Sequence, residues 1–311
     1  MLNEIKYQSK DNITDIHAVM WIPTTKVTAI IQIEHGMSEY IKRYAELAEI
    51  LNEKGILVCG EDHLGHGESV IDSEHYGYIA AKRGDKVLVD DAITLTEIMK
   101  KKYPNVPYYI LGHSFGSFIV RNYISKFDDI NGVIFMGTSY QSPLKMNLAI
   151  AFACIEQFYH HGWFYRSKLL HKLTIGNLNK FFEDKRKYSW LTKNEEVITS
   201  FEKDPLCDFE FTCNAYLNMF RLIKQSNKKK TYKNTDKDLP IFIMSGNDDP
   251  IGGFKTGVLK VEKMYKKAKF KNVKLRVYNG MRHNLLDEPE RIIVINDIIT
   301  FINTNNLKVD K

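Results

Sequence analysis

The segment Tyr108-Tyr109-Ile110-Leu111-Gly112-His113-Ser114-Phe115-Gly116 decides the fold. Its first four residues are bulky and apolar and read as a buried strand. Phe115 to Phe127 reads as a helix, so Gly112-His113-Ser114-Phe115-Gly116 is a G-x-S-x-G turn between a strand and a helix. A turn of this kind strains the serine backbone, and small residues two positions to either side let neighbouring backbones approach. The following helix aims its N-terminal N–H groups at the same point, where they can stabilise an oxyanion. The plain alternative is a tight strand–helix turn carrying an incidental serine.

The same rhythm runs outward from that turn. Upstream, Ile13 to Ile22 reads as a strand, as do Val27 to Ile33 and Ile56 to Cys59. A helix is expected over Ser38 to Lys54, closed by Gly55, and another from about Asp85 to Lys102, ended by Pro104. Downstream, Gly132 to Met136 is a further strand. Such alternation implies a parallel sheet covered by helices on both faces. From Ser139 to Asp238 the rhythm stops, and helices are expected at Lys145 to Tyr159, Glu195 to Lys203 and Thr212 to Lys224. It resumes with strands at Ile241 to Met244 and Val273 to Tyr278, a helix near Gly257 to Lys267, and a final helix from Pro289. The expected organisation is therefore one sheet domain, residues 1–138 and 239–311, interrupted by a helical insertion at 139–238.

A serine nucleophile needs a base, and the base needs an orienting acid. In a fold of this kind acid and base follow the serine in that order, on loops after late strands. Asp249 lies in Ser245-Gly246-Asn247-Asp248-Asp249-Pro250, after the Ile241 strand, and His283 in Gly280-Met281-Arg282-His283-Asn284, after the Val273 strand. Both fall at C-terminal strand ends, where open α/β sheets place their sites. Asp248 rivals Asp249 on spacing alone. His113 adjoins the serine but should point away from it. The oxyanion hole needs two backbone donors, expected to be the N–H of Phe115 and, from the loop His35-Gly36-Met37, the N–H of Met37.

Composition removes other classes. The 311 residues are 44% hydrophobic and 26% charged, with 18 Gly and 8 Pro, which excludes disordered and collagen-like chains. A net charge of +6 is mild and spread along the chain, so no nucleic acid is expected as partner. The densest basic cluster, Lys224 to Lys233, reads as a solvated loop or helix end, with weak attraction to anionic lipid headgroups as the sharper alternative. Cys59, Cys154, Cys207 and Cys213 show no C-x-x-C spacing, which favours a reduced compartment. The first residues lack the apolar core of a signal peptide, and the longest apolar run, Leu148 to Ile155, is far too short to span a bilayer. The expectation is a cytoplasmic protein. Asp62-His63-Leu64-Gly65-His66-Gly67-Glu68-Ser69 crowds possible metal ligands together, but His63 and His66 stand three apart in a Gly-rich loop with no tetrahedral ligand set. A loop held by internal hydrogen bonds beside the site is expected instead, with neither metal nor cofactor.

Glu34-His35-Gly36-Met37-Ser38-Glu39-Tyr40, the Asp62–Ser69 loop and the Gly112–Gly116 turn together resemble the monoacylglycerol lipase and lysophospholipase branch of the α/β-hydrolases. The resemblance spans nearly the whole chain. Within the insertion, Trp190-Leu191-Thr192 and Asp204-Pro205-Leu206-Cys207 are similar to the cap of bacterial lysophospholipase-like members. It implies a mostly parallel central sheet flanked by helices with an inserted helical cap, and a metal-independent esterase with Ser114, His283 and an acid three residues after the glycine, hence Asp249. The expected activity is carboxylic-ester hydrolysis of monoacyl lipids, monoacylglycerol or lysophospholipid, with a small acyl ester as partner and at most peripheral contact with lipid aggregates. The apolar residues of Lys145 to Tyr159 run almost all round the helix, as expected of an acyl-pocket wall or of a cap helix buried against the sheet domain. Short-chain or aromatic esters are the alternative substrates, as are peptides with a free N-terminus. An aminopeptidase would need cap acids for the substrate amine, for which Glu195, Glu196 and Asp204 are candidates. A non-enzymatic receptor would have no use for a complete triad.

Overall fold

Strand β5 (Tyr108–His113) sits near the middle of an eight-stranded sheet and shows how the core is divided. Tyr108 and Ile110 join the apolar layer on one face, Tyr109 and Leu111 the layer on the other, because successive strand residues point to opposite sides. The computed structural model describes residues 1–184 and 186–309. The other strands are β1 (Leu2–Gln8), β2 (Asp15–Trp21), β3 (Ala29–Glu34), β4 (Ile56–Glu61), β6 (Gly132–Met136), β7 (Ile241–Gly246) and β8 (Val273–Tyr278), in the spatial order β1-β2-β4-β3-β5-β6-β7-β8. From β4 to β8 every pairing is parallel; at one edge β2 runs antiparallel to both of its neighbours, β1 and β4.

Helices α2 (Gly84–Lys102), α3 (Phe115–Tyr123) and α8 (Thr256–Lys267) cover one face of the sheet. Helices α1 (Ala45–Asn52) and α9 (Arg291–Val309) cover the other. Between β6 and β7 come α4 (Pro143–Tyr159), α5 (Lys168–Thr174), α6 (Glu195–Lys203) and α7 (Cys213–Ser226), with no strand among the described residues. Arg121 on α3, fully buried, ties this helical stretch to the sheet layer. Its guanidinium donates to Ser139 O at 2.9 Å, Thr138 Oγ1 at 3.2 Å, Ser226 O at 3.0 Å and Asn227 Oδ1 at 2.7 Å.

Several expectations need correcting at the element level. Strand β1 was not anticipated, because it alternates between half-buried and exposed along the sheet edge and so lacks an apolar run. The helix expected from Ser38 begins as a 3-10 turn at Ile41–Tyr44, and only Ala45–Asn52 is α-helical. Ser38 has a φ of 53°, which breaks regular helix at its expected start. The last helix starts at Arg291, two residues after Pro289, and the short α5 carried too little periodicity to be seen. No helix among the described residues is long and apolar enough to cross a membrane.

Candidate active site

Ser114 follows β5 and caps α3 with φ 49° and ψ −113°, a conformation that an L-residue holds only when its surroundings enforce it. The flanking glycines supply the enforcement. A Cβ on Gly112 would lie 2.6 Å from the Gly116 carbonyl oxygen, and one on Gly116 would overlap the carbonyls of Glu34 and His35. Helix α3 therefore packs directly on the loop after β3, bringing Phe115 and Met37 together with Ser114 on the wall of one cavity. Phe115 is the first residue of α3, so its N–H has no acceptor within the helix.

Three sequence-expected residues meet at that point. Ser114 Oγ lies 2.8 Å from His283 Nε2, and His283 Nδ1 lies 3.0 Å from Asp249 Oδ1. The second approach is close without the angular geometry of a straight hydrogen bond. Asp249 is fully buried, and its Oδ1 also accepts the N–H of Ile251 at 2.8 Å. Asp248 is half-buried and makes its bond through its own N–H, to Met281 O at 3.0 Å. Of the two neighbouring acids, Asp249 is the one that stands against the imidazole. The His283 loop is locked from the insertion side: Arg282 donates to the carbonyls of Ser189 and Thr192, and Asn284 N–H to Leu191 O at 2.7 Å. Trp190 lies over the imidazole, ring centroids 5.1 Å apart.

His113 points to the α1 side of the sheet, as strand alternation requires, and finds Glu39 there. Its Nδ1, the Tyr44 hydroxyl and the Gly36 N–H all converge on Glu39 Oε1, the first two at 3.0 and 2.9 Å. Burial alone would raise the Glu39 carboxyl, but the charge and hydrogen bond of His113, aided by His35 and Arg43, bring it down to about 2. His113 is correspondingly raised: burial opposes its charge, and Glu39 more than compensates. Glu39 thus organises the His35-Gly36-Met37 loop through Gly36. The sequence alone assigns Glu39 no role, although an acid three residues beyond a turn glycine is the available signal.

The Asp62–Ser69 loop is held internally beside the site. Asp62 accepts the N–H groups of Ile41 at 2.8 Å and Glu68 at 2.9 Å, while His66 faces Leu64 O at 3.0 Å. Side chains able to hold a metal ion converge in two groups that each take one residue from this loop: Glu34, Glu61 and His63, all buried, and Glu4, His17 and Glu68, whose two glutamates are exposed.

The cavity measures about 820 Å³ and is walled mainly by apolar side chains. Helix α4 forms one wall through Met146, Leu148, Ala149, Ala151, Phe152 and Ile155. It packs against α7 while Leu144, Phe158 and Tyr159 project into solvent, so burial against the sheet does not explain its apolar surface. Glu195, Glu196 and Asp204 do not line the cavity. The first two are exposed on α6, and Asp204 accepts from the Tyr40 hydroxyl at 2.9 Å. Lys229 and Lys230 lie exposed just beyond α7.

A mostly parallel sheet with a serine on a strained strand–helix turn and a histidine and aspartate at later strand ends defines an α/β-hydrolase. The chain belongs to the family described as serine aminopeptidase, S33, whose model matches residues 25–290. It is 28% identical to the monoglyceride lipase of Homo sapiens over 91% of this chain and 84% of that protein. It is 24% identical to the monoacylglycerol lipase of Mycolicibacterium smegmatis over 91% of each. A thermostable carboxyl esterase from Bacillus coagulans, solved with glycerol, superposes with a TM-score of 0.89 at 27% identity, covering 98% of this chain and 99% of that one. The protein is accordingly a monoacylglycerol lipase-like α/β-hydrolase, in a family of serine hydrolases, and a carboxylic ester hydrolase.

Proposed function

We propose that the protein hydrolyses monoacyl lipid esters, monoacylglycerols or lysophospholipids, with Ser114 as nucleophile, His283 as base and Asp249 as orienting acid. The observation that carries this reading is the Ser114–His283–Asp249 line, whose serine and histidine face a large apolar cavity while Asp249 is buried behind them. Ser114 Oγ attacks the ester carbonyl carbon and its proton passes to His283 Nε2. The N–H groups of Met37 and Phe115 hold the resulting oxyanion. Collapse breaks the ester C–O bond, and the leaving alkoxide takes the proton back from His283. Water then attacks the acyl-enzyme, again giving its proton to His283, and the acid leaves as Ser114 is restored.

The insertion at 139–238 serves as the cap over this site, its α4 walling the acyl chain. The cavity suits an acyl chain in size and polarity, and the glycerol bound to the Bacillus coagulans esterase is the alcohol that a monoacylglycerol would release. The exposed Leu144, Phe158 and Tyr159 suit peripheral contact with lipid aggregates. The four unpaired cysteines fit a cytoplasmic setting. For an aminopeptidase, the acids considered in the cap lie away from the cavity.

The test is a hydrolysis panel of C2 to C18 monoacylglycerols, lysophospholipids, nitrophenyl esters and aminoacyl amides, with fluorophosphonate labelling of the serine. Long monoacyl esters should be preferred, and Ser114→Ala should lose turnover by about four orders of magnitude or more together with labelling. Unchanged hydrolysis by that variant would sink the mechanism, and faster cleavage of aminoacyl amides than of monoacyl esters would overturn the substrate class.

A further inference from the structure

Behind the oxyanion loop, three side chains turn donor atoms toward one another. Glu34 Oε2 and Glu61 Oε1 lie 3.6 and 3.8 Å from His63 Nδ1, and all three residues are completely buried. These three atoms have no hydrogen-bond partner. The separations exceed the 2.7–3.2 Å of a hydrogen bond, so a proton on either carboxylate does not join it to the imidazole.

The outer atoms of the same groups are all engaged. Gln32 Nε2 donates to Glu34 Oε1 at 2.7 Å, and the Tyr7 hydroxyl donates to Glu61 Oε2. His63 Nε2 faces His35 O at 3.1 Å, which places the ring proton on Nε2 and leaves the Nδ1 lone pair aimed at the two carboxylates. This is the arrangement that orients metal ligands, in which each one's remote atom is held by a partner outside the site. Donors about 2.2 Å from a common ion and separated by a tetrahedral angle stand about 3.6 Å apart. No Lys or Arg among the described residues lies within ion-pair distance of either glutamate. A cation would offset the negative charge of two carboxylates that no Lys or Arg pairs with.

We propose that Glu34, Glu61 and His63 bind a divalent transition-metal ion, forming a structural site that clasps β3, β4 and the loop after it. Imidazole with two carboxylates suits zinc, cobalt or manganese rather than the all-oxygen shells of magnesium or calcium. The ion would sit one residue from the His35-Gly36-Met37 turn and anchor it from behind, without touching substrate. His66, the other histidine of the metal-like loop motif, takes no part. The signal was invisible in sequence because two of the ligands come from the ends of separate strands.

The test is to express the full chain in medium supplemented with Zn²⁺ or Co²⁺, since the closed site must load during folding, and to desalt it without chelator. Elemental analysis should find about one metal ion per chain, Co²⁺ should give the intense visible absorption of a tetrahedral site, and the melting temperature should exceed that of protein made under chelation by several degrees. Glu34→Gln and Glu34→Gln/Glu61→Gln should lose the metal and the shift. Glu4→Gln/Glu68→Gln, which disrupts the surface cluster, should keep both. Less than a tenth of an equivalent in the wild type, or undiminished metal in soluble Glu34→Gln, would overturn the proposal. The wild-type stoichiometry and Co²⁺ spectrum decide the matter even if the double variant fails to fold.

Discussion

Glu39→Gln removes the charge that the His35-Gly36-Met37 loop is built around while preserving size and an acceptor for the Gly36 N–H. In the folded protein the Glu39 carboxyl titrates at about 2, against 4.5 for the free side chain. A difference of that size corresponds to about 3 kcal/mol of stability at neutral pH. Because the folded value is the lower one, the contribution is complete above the unfolded value and is lost as pH falls toward 2. About 2 kcal/mol of it should be gone by pH 3. His113, raised by the same contact, has the opposite dependence. It adds stability below its unfolded value, and that share fades as pH rises through the folded one. Urea unfolding of wild type and variant across this range reads the difference directly. The variant should be about 3 kcal/mol less stable at pH 7, with the gap closing markedly by pH 3. A gap equally wide at both pH values would refute the reasoning, since it would make the loss one of packing rather than of charge.

Two further outcomes follow from the site. Asp249→Asn should lower kcat by about four orders of magnitude with little change in KM, while Asp248→Asn stays near wild type; steady-state kinetics on a nitrophenyl ester separates the two. Ala149→Phe, which narrows the cavity beside α4, should depress kcat/KM for C16 monoacylglycerol at least tenfold more than for C8, and an unchanged chain-length profile would remove α4 from the acyl path.

The elements legible in the sequence were those whose neighbours in sequence carry the signal. Strands β6 and β8 and helix α6 match their expected limits, because each is bounded by turn residues and has one clear periodicity. Edge strand β1 and short α5 were missed because their exposure weakens the apolar pattern that marks an element.

By itself the sequence determined the strand–helix alternation, the strained turn at Ser114 and the late loops carrying Asp249 and His283. All of these are local consequences of apolar periodicity and of glycine and proline placement. Residue spacing left Asp248 and Asp249 open until the resemblance favoured Asp249, which the tertiary structure sets against His283; only the tertiary structure decided that Glu39 gathers Gly36, Tyr44 and His113 onto one oxygen. It alone brought Glu34, Glu61 and His63 within 4.8 Å of one another. Each of these depends on the direction of a side chain across the packed sheet, which is set by strand order and register between segments far apart in the chain.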